Sequence, residues 1–152
     1  MENAAERLGT IRARIDKARQ RFGPPPAAVT LVAVSKTVGA DGVRPFLEAG
    51  QRVFGENRVQ EAASKWPELR ASYDDVELHL IGPLQTNKVR EAVALFDVIE
   101  TLDRERLAVA LRAEMSRSGR SPVLLVQVNI GLEPQKAGIS PDEAVSFVKQ
   151  CR

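Results

Sequence analysis

The sequence predicts a parallel α/β fold assembled from repeated strand-then-helix units, and three observations predict it. Five short apolar runs are each followed by a stretch of helical periodicity. The first of these runs, Val29 to Ser35, is nearly all apolar, as in strands covered on both faces. The chain of 152 residues, 43% hydrophobic and 28% charged, has the size and composition of one ordinary globular domain. Such units wind into an open doubly wound sheet or a closed barrel, and periodicity by itself leaves both open.

Leu8, Ile11, Ile15, Ala18 and Phe22 recur at alternating steps of three and four, which predicts an opening amphipathic helix ended by Gly23-Pro24-Pro25-Pro26. Its Arg and Lys residues read as the solvated face opposite that stripe. The β-rich run from Val29 to Ser35 is the first strand, followed by a helix from about Asp41 to Ala49 with Gly50 as its cap. Arg52 to Gly55 then leads into a helix from Asn57 to Leu69, with Val59, Ala62, Ala63, Trp66 and Leu69 on one face. Glu77 to Gly82 precedes a helix near Asn87 to Phe96, and Asp97 to Thr101 one from Arg104 to Arg117 with Leu107, Leu111 and Met115 inward. Pro122 to Ile130 is the fifth and longest strand. Ser140-Pro141-Asp142-Glu143 starts the last helix, with serine as cap, proline in the first turn and acids near the positive end.

Composition narrows the function classes. A formal charge of +2, from 22 basic and 20 acidic side chains mixed along the chain, offers no concentrated basic surface for nucleic acid or anionic membrane. Cys151 is the one cysteine, so no internal disulfide or cysteine-rich metal site is expected, and a reducing cytoplasm fits. The charged segment from Met1 to Phe22 lacks the apolar core of a signal peptide, and nothing approaches a membrane span. There is no GxGxxG after a strand, no Walker loop and no HExxH. Ser146 and Lys149 match a bare SxxK spacing by chance, without the partner motifs of an acyl-transfer enzyme.

Chemistry concentrates at strand ends. Lys36 follows the first strand directly, and in parallel α/β folds the carboxyl ends of strands are where sites are built. An apolar strand end can desolvate a lysine and favour the neutral amine that attacks an aldehyde. The plain alternative is a surface lysine at a strand terminus. Glu56 and Asn57 after the second strand, His79 within the third, Gln85 to Lys88 beyond it and Asn129 in the fifth converge on the same expected end. For His79 two readings stand: a ligand-side group, or a hydrogen-bonded core histidine.

The segments LVAVSKT at 31–37, FGENRVQEA at 54–62 and HLIGPLQTNK at 79–88 resemble the signature segments of the pyridoxal phosphate homeostasis family. That family is related to the N-terminal domain of alanine racemase. The similarity runs in order and spacing from about Leu31 to Ile139, continuing through Val126 to Ile130 and Lys136 to Gly138. The resemblance implies a (β/α)8 barrel binding pyridoxal 5′-phosphate at the carboxyl ends of the strands. It implies Lys36 as the Schiff-base lysine, with Asn57, His79 and Ile81 near the cofactor ring and Asn129 and Lys136 around the pocket mouth.

A (β/α)8 barrel needs about 250 residues, so residues 1–152, read as a single domain, are expected to supply about its first five βα units. The chain breaks off within a helix that has no cap, which reads as the N-terminal portion of a longer barrel. The segments that grip the cofactor phosphate are expected beyond Arg152. A whole barrel of this kind is expected to be a monomer, and the shortened one to associate through unpaired edges. The implied function is a non-catalytic cytoplasmic carrier that shields pyridoxal phosphate and passes it to apoenzymes. The alternatives are a racemase-like pyridoxal phosphate enzyme, which needs a second acid or base that Tyr73 is poorly placed to supply, and a ligand-free structural fragment.

Overall fold

Repetition of one local unit decides the architecture. The computed structural model describes residues 3–23 and 29–152; the predicted proline stop at 24–26 lies outside them. Helix α1 (Ala4–Phe22) is followed by β1 (Ala33–Val34), α2 (Ala40–Glu48), β2 (Val53–Glu56), α3 (Val59–Ser72) and β3 (Glu77–Leu80). A 3-10 turn at Thr86–Lys88 leads into α4 (Val89–Leu95), then β4 (Val98–Leu102), α5 (Glu105–Ser118), β5 (Val123–Val126) and α6 (Pro141–Cys151).

All strand pairs are parallel, and the strands lie in the order β1-β2-β3-β4-β5. That order settles which winding the units adopt. A doubly wound sheet must reverse direction at a switch point, whereas consecutive neighbours joined by right-handed crossovers carry all their helices on one face, as a barrel does. The barrel is not closed: among the described residues β1 pairs only with β2 and β5 only with β4.

The core lies between the sheet and its helices. Phe54, Leu78, Leu80, Ile99 and Leu102 from the strands meet Leu47, Trp66, Leu69, Val93, Leu107 and Leu111 from the helices. Phe54 and Trp66 pack with tilted rings 5.1 Å apart, a pair that adds roughly 0.5–1.5 kcal/mol to the burial of each. Gly50 ends α2 at φ 84°, as its capping role requires, and Gly119 ends α5 in the left-handed region at φ 71°.

Three local expectations are corrected. The first strand is two residues long rather than seven, because only Ala33 and Val34 find ladder partners on β2 and, among the described residues, no strand pairs with its other edge. The fifth leaves the ladder after Val126, where the chain turns back so that Val128 bridges Ile139. On α3 it is Lys65, not Ala63, that joins the buried face. The apolar stripe of α1 is mostly uncovered: Leu8 is buried, but Ile11 is 41% and Phe22 79% exposed.

Candidate functional site

With the helices on one face, the concave face carries the alternate strand residues. Val34, Gly55, His79, Val98 and Val123 form one row across it, since each is the register partner of the next. Val34 and Val123 are more than half exposed there. Counting two residues toward the carboxyl end from Val34–Gly55 and Gly55–His79 brings Lys36, Asn57 and Ile81 level with one another. The ladder supports this extension, because the Ile81 N–H donates to the Glu56 carbonyl at 2.9 Å. Three of the four predicted cofactor-side residues therefore share the carboxyl rim.

Two glycines make that rim possible. A Cβ on Gly55 would meet the Ile81 Cδ1 at 3.1 Å and the Val32 Cγ1 at 3.2 Å, so its absence leaves a low floor between β1 and β3. A Cβ on Gly82 would lie 2.1 Å from the Asn57 carbonyl oxygen, so only glycine lets the end of β3 run against the backbone of Asn57. Beside this crossing a cleft of about 510 Å3 is lined by Asn57, Arg58, Pro83, Leu84, Gln85 and Lys88.

Of the two readings of Lys36, the structure shows the exposed one: its side chain is open to solvent, and among the described residues the open barrel supplies no opposing wall. It occupies the second position of a turn closed by the Val38 N–H donating to the Ser35 carbonyl at 3.2 Å. Thr37 in the third position has φ 63°, a conformation that ordinarily favours glycine. Helix α3 grips this turn from beneath. The Lys65 ammonium donates to the carbonyls of Ser35 at 2.9 Å and Val38 at 2.7 Å, and Glu61 accepts the Thr37 N–H at 2.5 Å.

Lys65 also pairs with Glu56 at 2.7 Å, with both side chains inaccessible. The same Glu56 oxygen accepts from Ser35 Oγ at 2.6 Å and Trp66 Nε1 at 3.0 Å, while its Oε2 has no partner among the described residues. Sequence reading assigned Glu56 to the functional rim, yet its side chain faces the helices. Lys65 was missed, although a lysine at an i+3 step from Ala62 and one before Trp66 sits on an apolar helical face, where a lysine must be paired.

His79 lies one row deeper than the rim and is 8% exposed. Both ring nitrogens are engaged, Nδ1 with Glu100 at 2.5 Å and Nε2 with Glu77 at 2.7 Å. Asn129 and Lys136 lie apart from this constellation, in the loop after β5. The Asn129 side-chain amide donates to the Glu133 carbonyl at 2.9 Å and to the Lys136 carbonyl at 3.3 Å, and the Lys136 ammonium pairs with Glu133. Tyr73 caps α3 at the opposite, amino end of the sheet, with Arg52 over its ring at 5.5 Å.

Comparison with known proteins adds independent findings. The family profile described as "Alanine racemase, N-terminal domain" matches residues 7–152. The chain is 37% identical over 145 residues to a pyridoxal phosphate homeostasis protein of Pasteurella multocida, covering 95% of this chain and 62% of that one. It is also similar to the structure of PipY from Synechococcus elongatus PCC7942, solved without PLP (TM-score 0.83, 42% identity) and with PLP bound (TM-score 0.79, 40% identity). Each of these covers 97% of this chain and 63% of PipY. The chain thus spans about three fifths of the length of the curated relatives it matches.

Proposed function

The chain belongs to the family described by the alanine racemase N-terminal domain, and from that premise we propose that it binds pyridoxal 5′-phosphate through Lys36 and serves in holding and delivering that cofactor. The observation that carries the reading is the rim itself. An exposed primary amine stands level with Asn57 and Ile81 above the floor left by Gly55, on the face of the sheet that no helix among the described residues covers. That donor set fits an aromatic aldehyde. When bound, the cofactor would supply the aldehyde, and the Lys36 amine would be the group to hold it by condensation with loss of water. Asn57 supplies an amide for ring substituents and Ile81 an apolar surface for the ring, while His79 supports the rim from the row below. The identity of about 40% to PipY, a protein solved with PLP bound, supports the same assignment.

Within this reading the chain is a carrier rather than a catalyst. A racemase-like reaction needs a second acid or base beside the cofactor. Tyr73 is at the far end of the sheet, and both nitrogens of His79 are already held by Glu77 and Glu100. Recipients would be apoenzymes that need the cofactor, encountered in the cytoplasm. Among the described residues no helix is long and apolar enough to cross a membrane.

The test is direct. The protein and its Lys36→Ala variant are incubated with pyridoxal phosphate, reduced with borohydride and mapped by peptide mass spectrometry. One adduct, on Lys36, is the expected result. Scattered labelling of surface lysines that persists in the variant would overturn the assignment. Turnover of a free amino acid that is lost in Lys36→Ala would instead make the protein an enzyme.

A further inference from the structure

The buried groups beneath the Lys36 turn are unused by the function just described, and they are expensive to maintain. A lysine and a glutamate removed from water lose much of their hydration, which their partners must compensate. Their contacts show where the compensation goes. The Lys65 ammonium touches Glu56 and the carbonyls on either side of Lys36-Thr37, those of Ser35 and Val38. Glu61, one helical turn earlier on α3, takes the Thr37 N–H and lies 3.7 Å from Lys65. The turn is thus held at three backbone positions, Ser35, Thr37 and Val38, by two side chains of a neighbouring helix. The central one, Thr37, adopts a positive φ that a β-branched residue does not choose unaided.

We propose that Lys65, anchored by Glu56 and assisted by Glu61, is a positioning residue for Lys36: it imposes the turn that keeps the Lys36 amine on the concave rim. This rests on the reading of Lys36 as the cofactor-binding amine. The logic is that of a preorganised site, in which the reactive group is exposed while Lys65, which orients it, is buried and held by Glu56 and by two carbonyls of the turn. Without the clamp, Thr37 relaxes to negative φ, the turn opens, and the lysine samples directions that do not lead over Gly55. A turn with glycine in its third position needs no clamp, because glycine adopts positive φ without the Cβ penalty.

The experiment uses the Glu56→Gln/Lys65→Met double variant, which leaves no unpaired charge in the core and so preserves the fold, alongside the same pair with Thr37→Gly added. The first readout is amide hydrogen exchange in the cofactor-free protein. Exchange at Thr37 and Val38 should accelerate about tenfold or more in the double variant, while amides of β2 and β3 keep their protection. The second is the rate of borohydride-trappable labelling of Lys36 by pyridoxal phosphate. It should fall by about tenfold in the double variant and recover to within about threefold once Thr37→Gly is added, a rescue that lost global stability would not produce. Unchanged exchange at Thr37 and Val38, or labelling of Lys36 at the parent rate in a folded double variant, overturns the proposal. Failure of the unsubstituted protein to label at Lys36 overturns the cofactor reading and with it this role. The exchange measurement, made without cofactor, distinguishes that failure from failure of the clamp.

Discussion

Replacing the two ends of the Glu56–Lys65 pair, singly and together, measures how strongly the buried charges depend on each other. In Lys65→Met the Glu56 carboxylate stays buried with only the Ser35 hydroxyl and the Trp66 N–H to solvate it, and the carbonyls of Ser35 and Val38 lose their donor. An uncompensated buried charge of this kind costs about 3–5 kcal/mol. In Glu56→Gln the amide oxygen still accepts from Ser35 and Trp66, and Lys65 keeps both carbonyls and Glu61 at 3.7 Å, so the loss is smaller, about 2 kcal/mol. The double variant removes both charges and leaves no ion stranded. Its destabilisation should therefore fall short of the sum of the singles by about 2 kcal/mol or more. Urea unfolding followed by tryptophan emission suits the assay, because Trp66 is the chain's single tryptophan and is fully buried. Additivity of the two singles to within about 0.5 kcal/mol would show that the pair is not energetically coupled and refute the argument.

Three further outcomes follow from contacts on the rim and in the core. Gly82→Ala forces a Cβ to within 2.1 Å of the Asn57 carbonyl, backbone against backbone, and should lower stability by about 2–3 kcal/mol; an unchanged thermal midpoint would contradict that geometry. Gly55→Leu fills the floor between Val32 and Ile81 and should abolish borohydride-trapped labelling of Lys36 while the protein remains folded by circular dichroism; full labelling would move the cofactor off this face. Trp66→Phe keeps an aromatic ring against Phe54 but removes one donor to Glu56, and should cost about 1–2 kcal/mol in denaturant unfolding, with no loss pointing to a solvated Glu56.

Much of the fold was legible because its signals are local. The steps of Leu107 and Leu111 on α5, the apolar runs of β2 to β4 and the cap at Gly50 each depend on neighbours within a turn or two of chain. The lengths of β1 and β5 were misread for a corresponding reason. Apolar residues permit a strand, but a strand exists only where a partner offers ladder groups, and β2 meets only Ala33 and Val34. On α1 the periodic stripe is legible in the sequence, but how much of it is covered is not, since burial depends on what packs against a face.

The candidate site divides in the same way. By itself the sequence determined the alternating α/β class, the position of Lys36 at a strand end and, through its resemblance, the expected cofactor, because these rest on residue types in order along the chain. Only the tertiary structure decided the winding, since strand order is a relation between distant segments. It also decided that Asn57 and Ile81 stand level with Lys36 while His79 sits a row below, because register is fixed by pairing between strands. The buried Glu56–Lys65 clamp belongs to this second group. Its members are nine residues apart on a strand and a helix, and desolvation makes them partners only when α3 folds down over the turn that carries Lys36.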